Sequence, residues 1–283
     1  MAISAVSFSI MDILVKIMSV SYPTGEIVFF RGLFGLIPIF FIIPRDRYKN
    51  LFQTKKLKMH LARAFIGTFG MLWIFLAVKY LPIAEAITIT FAAPVFATIF
   101  SMIILKEVIK LFRWVAIIIG LAGVVIILKP GTELFTVYSL FPLMFCLFFG
   151  IIAILIKKLS KTEPDYLIAT FFTLVIIFCG SISLFFEFKM PTARDFVPLV
   201  LIGIAGSAGN IFLTMSLRKG SISAVTPIKY LSLIIATFAG VLIFDEIPYF
   251  TTYLGAALII ASSFIIFKRE EIKNKKTIIA RQV

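Results

Sequence analysis

With one histidine, two cysteines and only 14 acidic residues among 283, this chain lacks the groups that most enzyme chemistry needs. A histidine-based zinc site takes several imidazoles, and His60 has no second histidine to join it. The same scarcity excludes a Ser-His-Asp set of the usual kind, because His60 stands at the basic edge of an apolar run. No glycine loop leads into a Lys-Ser/Thr pair, so nothing here would cradle the phosphates of ATP. Cys146 and Cys179 both fall inside apolar stretches and are expected to be small buried hydrophobes without a disulfide or metal role. Polar sequence is short as well: 44–59 and 268–283 are the longest such stretches, too little for a domain outside a membrane. The reading is of a protein that is not an enzyme and needs no cofactor.

Apolar sequence, by contrast, is everywhere. Hydrophobic residues make up 61% of the chain, charged ones 15%, and phenylalanine alone occurs 32 times. Mean hydropathy is +1.09. A single soluble core of that composition would have no polar residues left to cover it, so lipid must be the solvent. Runs of about 18 to 23 apolar residues span a bilayer as helices. Ten are expected, near 1–20, 24–43, 60–79, 83–105, 112–129, 136–157, 166–187, 196–217, 222–244 and 250–267. The fold class is therefore an all-α polytopic membrane protein with ten transmembrane helices. The first run has no basic leader region or A-x-A site and runs straight into a second span, so it reads as a span and not a cleaved signal. Met1 already stands inside it, which leads us to expect residues upstream.

A formal charge of +14 would suit a nucleic-acid partner if it were spread over a surface. Its placement follows topology instead. With alternating spans, one side receives 20 Lys and Arg, in 44–59, 106–113, 157–161, 218–219 and the basic tail 268–283; the other receives only Lys79, Lys129, Lys189 and Arg194. Such an excess marks the cytoplasmic side. Both termini are expected there, the lipid bilayer is the partner, and no nucleic acid is.

The chain also repeats itself. An offset of 139 places Ala97-Thr98 on Ala236-Thr237 and Glu107 on Glu246; near the start of each half an offset of 141 places Phe8, Lys16 and Pro23 on Phe149, Lys157 and Pro164. Five spans per copy is an odd number, so the two copies enter the membrane in opposite directions. Inverted repeats of this kind build secondary transporters, with the substrate near the midplane between them. The expected organisation is 1–133 and 134–267 as two five-helix repeats, followed by the tail 268–283.

Particular residues carry a family resemblance. The stretch Phe75–Ala86 (FLAVKYLPIAEA), then Phe91–Pro94 (FAAP), Lys106-Glu107 and Gly120–Gly123 (GLAG) resemble the signature of EamA-type members of the drug/metabolite transporter superfamily. Tyr230-Leu231, Phe244–Glu246 and Gly255-Ala256 repeat it more loosely, and Glu26–Arg31 (EIVFFR) is similar to that family's second-helix start. The resemblance covers essentially the whole chain. It implies two inverted five-helix halves that move a small metabolite through a central cavity by alternating access. Overall similarity, not a motif, points to S-adenosylmethionine taken up across a bacterial inner membrane; export of amino acids or other metabolites is the second reading within the family.

Ionisable residues inside spans are costly and so are candidates for function. Counting from helix ends at about 1.5 Å per residue puts Asp12 and Arg31 at the same depth, roughly 10–12 Å below the outer surface, and matches Lys16 with Glu26 nearer that surface. Either the four charges neutralise one another and lock the first two helices, or Arg31 or Glu26 faces the cavity and meets a substrate carboxylate or ammonium. Glu85 opens the fourth span, where it either suits the helix dipole or attracts a cationic cargo. Trp73 and Tyr80 in the third span either pack or stack on an adenine or sulfonium. Asn210 and Lys229 lie at equal depth in the eighth and ninth spans and are expected to pair, with Lys229 either holding a carboxylate or snorkelling to the surface. Glu107 and Glu246 end spans and are expected to cap loops or meet Lys and Arg. Glycines at three-residue spacing (Gly32/Gly35, Gly67/Gly70, Gly120/Gly123, Gly203/Gly206/Gly209) let helices approach closely, and Pro94 and Pro227 mark bends.

Overall fold

The computed structural model describes residues 1–45, 48, 52–105, 111–129, 135–219, 231–262, 264–265 and 268. Among them the secondary structure is helical, with no strand. In chain order the helices are α1 (Ala2–Met18), α2 (Thr24–Ile42), α3 (Leu57–Tyr80), α4 (Ile83–Thr90), α5 (Ala93–Leu105), α6 (Leu111–Leu128), α7 (Phe141–Leu159), α8 (Asp165–Leu184), α9 (Ala193–Lys219), α10 (Leu231–Phe244) and α11 (Phe250–Ser262). A 3₁₀ turn, Val137–Leu140, leads into α7 and is closed by a capping box between Thr136 and Ser139. Five stretches are long and apolar enough to cross a bilayer by length and composition: Thr24–Ile42, Leu57–Tyr80, Val137–Leu159, Asp165–Leu184 and Ala193–Lys219.

Three of the helices begin by one device. Pro23, Pro82 and Pro164 hold extended backbone directly before Thr24, Ile83 and Asp165. An acid follows in each first turn (Glu26, Glu85 and Asp165), where unpaired N–H groups and the helix dipole favour negative charge. The fourth expected span, 83–105, is not one helix. It breaks at Phe91-Ala92, where Phe91 N–H bonds Thr88 O at 3.1 Å and Ala92 N–H bonds Ile89 O at 3.0 Å, tightening the last turn of α4. Pro94 supplies no N–H to continue the ladder, which accounts for the restart at α5.

Packing follows small residues. A Cβ on Gly180 of α8 would lie 2.6 Å from Phe29 Cα of α2, and one on Gly203 of α9 would lie 2.9 Å from the backbone N of Gly35. The backbones of α8 and α9 therefore rest directly on α2, a contact only glycine permits. The helix pairs recur in exchanged form: α1 packs on α9 as α7 packs on α3, and α2 packs on α9 as α8 packs on α3. The connections cluster at two ends. At one, Tyr22 Oη donates to Asp195 at 2.7 Å and Glu26 accepts from the Lys189 backbone N–H at 3.0 Å. At the other, Thr54 donates to Glu163 at 2.9 Å, and His60 Nε2 stands 3.8 Å from the same carboxylate. His60 is buried there, near the start of α3, its ring 4.7 Å from Phe171.

Candidate functional site

A central pocket lies between α1, α2, α3, α4, α7, α8, α9 and α10 and encloses about 860 Å³ with its mouth included. Its wall is mostly apolar, with Phe8, Met11, Phe145 and Phe149 prominent, and carries the charged residues Asp12, Arg31 and Arg63 with the neutral amide Asn210.

Both arginines are 2% exposed. Arg63 Nη2 donates to Asn210 Oδ1 at 2.7 Å, and Arg31 Nη2 approaches Gly206 O at 3.5 Å. One aromatic ring serves both guanidiniums: Phe172 lies with its centroid 3.9 Å from Arg63 Cζ and 5.3 Å from Arg31 Cζ. Two glycines create this space. A Cβ on Gly206 would lie 2.9 Å from Arg31 Nε, and one on Gly67 would lie 2.8 Å from the Phe172 ring. Asp12 is near enough for its charge to act on Arg31, in keeping with their matched depth.

The other pairing expected in the first hairpin does not form. Lys16 Nζ reaches Glu246 Oε1 at 2.6 Å and donates to Leu81 O at 2.7 Å, while Glu26 turns to Lys189. Depth matched Lys16 with Glu26, but the rotation of α1 aims Lys16 at the α10 end. Glu246 does two tasks, since its Oε2 also accepts the Ile83 N–H at 2.9 Å and so caps α4. Asn210 accepts from Arg63; Lys229, the partner expected for it, lies outside the described residues, as do Tyr230, Pro227 and Glu107.

Trp73, Tyr80 and Glu85 do not line the central pocket. Helix geometry gives the reason. Arg63, Gly67, Met71 and Ile74 form one face of α3 and line the pocket, whereas Trp73 is turned about 200° from Met71. Its indole packs 5.1 Å from Phe141. On α4, Ile87 and Thr90 face the pocket while Glu85 and Ile89 face the opposite way, into a second cleft with Tyr80, Lys129, Tyr138 and Tyr249. There Tyr80 stacks on Tyr138 at 4.3 Å, Lys129 Nζ sits 3.6 Å over the Tyr249 ring, and Glu85 Oε1 accepts from Thr252 at 3.1 Å. Arg63 and Phe172 are not among the residues expected from the sequence. Arg63 was open to the rule that singled out Arg31, a charge inside an apolar run; for Phe172, one phenylalanine among 32, no such signal exists.

Comparison with known proteins places this architecture. The profile of the EamA-like transporter family matches residues 1–129 and again 137–268. The chain belongs to that family of membrane transporters. It is 30% identical over 281 residues to the S-adenosylmethionine uptake transporter of Rickettsia prowazekii (strain Madrid E), covering 97% of this chain and 93% of that one. It is 26% identical to the pseudopaline exporter CntI of Pseudomonas aeruginosa (strain UCBPP-PA14), over 92% of each chain. It is 25% identical to the riboflavin transporter of Vibrio cholerae serotype O1 (strain ATCC 39315 / El Tor Inaba N16961), over 98% of this chain and 94% of that one. A protein of known crystal structure shares the fold, with a TM-score of 0.59 at 17% identity over 95% of this chain and 98% of that chain.

Proposed function

We propose that this chain is a secondary carrier that takes up S-adenosylmethionine across a bacterial inner membrane by alternating access. In this reading ten helices form two inverted halves, 1–133 and 134–267, with both termini cytoplasmic. The exchanged packing of α1 on α9 and α7 on α3 supports the inverted arrangement, since a two-fold axis in the membrane plane would relate these pairs. The observation that carries the reading is a mostly apolar pocket with a charged cluster in its wall, built by helices from both halves, in a chain 30% identical to the S-adenosylmethionine uptake transporter of Rickettsia prowazekii. The cargo-contacting residues are Arg31, Arg63 and Asn210, with Asp12 as their counter-charge. Lys16 and Glu26 are structural.

Uptake of radiolabelled S-adenosylmethionine into vesicles containing the purified protein tests this. We expect saturable accumulation, competed by S-adenosylhomocysteine and not by free amino acids. The cargo bears one net positive charge, so an inside-negative potential acts on it by about 2.3 kcal/mol per 100 mV, roughly a 50-fold concentration ratio. Accumulation that ignores a valinomycin-imposed potassium potential would eliminate uncoupled uptake. The second reading, export of another metabolite, is favoured by the pseudopaline exporter among the relatives; it predicts efflux from loaded vesicles and no S-adenosylmethionine uptake. Orientation has its own test. Lys79→Cys should react with an impermeant maleimide in intact cells and Lys158→Cys only after permeabilisation; the reverse result inverts the topology.

A further inference from the structure

We propose that the central pocket takes its cargo by a carboxylate held between the guanidinium groups of Arg31 and Arg63. The substrates would then be carboxylate-bearing metabolites with an apolar or aromatic remainder. This rests on the carrier reading above and goes beyond it by naming the chemical handle.

Two arginines buried side by side in the apolar middle of a membrane protein are an expensive arrangement unless an anion meets them. Arg31 lies close enough for its charge to act against that of Arg63. Among the described lining residues Asp12 is the one carboxylate, so two positive charges meet one negative and the pocket is left cationic. Donor geometry points the same way. Phe172 contacts the guanidiniums, and one Nη2 of each is directed at Asn210 or Gly206. Nε and Nη1 of both side chains have no protein acceptor among the described residues. Both side chains belong to the pocket wall, and a planar carboxylate is the ligand whose shape and charge match paired guanidiniums. Around them Phe8, Met11, Phe145 and Phe149 offer aromatic and thioether surface for the rest of the molecule. If the arginines served only to tie α2 and α3 to α9, the pocket would be indifferent to a carboxylate.

The experiment uses full-length protein in nanodiscs and measures displacement of radiolabelled S-adenosylmethionine. Competitors are unlabelled S-adenosylmethionine and its decarboxylated analogue, which differ in the carboxylate alone. Losing one partner of a buried charged hydrogen bond lowers affinity by about 30-fold or more. Wild type should therefore bind the analogue at least about 30-fold more weakly, a comparison that needs no variant to fold. Arg63→Gln should erase the discrimination by weakening S-adenosylmethionine alone, and Arg63→Lys should keep part of it. Retained affinity for the analogue reports that the variant is folded; Arg31→Gln repeats the test from the other side. Equal binding of the two compounds by wild type overturns the proposal, as does an Arg63→Gln variant that weakens both equally. A protein that binds neither S-adenosyl compound removes that cargo but not the handle. Thermal stabilisation by phenylalanine and methionine, set against phenethylamine and 3-methylthiopropylamine, then decides: stabilisation by the acids alone, lost in Arg63→Gln, upholds the handle, and its absence ends it.

Discussion

Gly180→Ala is expected to lower the thermal midpoint of the detergent-extracted protein sharply, although it adds a single methyl group to a helix. The new Cβ would stand 2.6 Å from Phe29 Cα and 2.7 Å from Phe29 N. These are backbone atoms of α2 and no rotamer change moves them, so α2 and α8 must part along their seam. Overpacking costs about 1–3 kcal/mol where side chains can adjust; against backbone we expect about 3 kcal/mol or more. Gly240→Ala is the matched control, because its Cβ would meet Ile83 Cγ2 at 3.4 Å, an ordinary contact. Alanine there also gains helix propensity, up to about 1 kcal/mol. Midpoints by size-exclusion after heating should fall for Gly180→Ala and hold or rise for Gly240→Ala. Equal midpoints would mean that the seam is not set by backbone contact.

The second large effect is expected at Glu246, where the consequence is conformational. Lys16 and Glu246 lie one helical turn beyond the pocket-lining Asp12, and Ile83, capped by Glu246, lies one turn before the pocket-lining Ile87. The ion pair, the Lys16 bond to Leu81 O and the cap thus tie α1, the α3–α4 turn and the end of α10 together across one end of the pocket. Alternating access requires that end to open. Glu246→Ala removes the carboxylate and strands Lys16 at 11% exposure. Discounting the full penalty of a buried pair for this partial exposure leaves about 2–3 kcal/mol, roughly 30- to 160-fold in the closed-to-open ratio. Maleimide reaction at an introduced Asp12→Cys, measured from the Lys16 side, should quicken accordingly in Glu246→Ala. Lys16→Met should do the same, whereas Glu26→Gln, outside this cluster, should not. An unchanged labelling rate would show that the tie is not a gate.

The two predictions depend on different levels of information. Helix contact through glycine was visible as spacing at Gly32/Gly35 and Gly203/Gly206, which lie at such seams, although Gly180 stands in no such set. Which glycine faces backbone and which faces a yielding side chain was not. Charges inside apolar runs were also visible, and Arg31 and Asn210 do line the pocket. Depth counting placed Asp12 near Arg31, because the two helices are joined by a short turn and start from a common end. It failed for Lys16 and Glu26, since depth is one coordinate and rotation about the helix axis is another. Trp73 and Glu85 missed the pocket for the same reason, each about half a turn from a residue that lines it.

Membrane embedding, helical class and family were legible in the amino-acid sequence alone, because hydropathy and motif content accumulate along the chain without regard to which helices meet. The meeting of Arg31 and Arg63 across Phe172, and of Lys16 with Glu246, belonged to the tertiary structure. Those contacts join residues far apart in the chain, and they depend on how each helix is turned as it packs, which hydropathy along the chain does not encode.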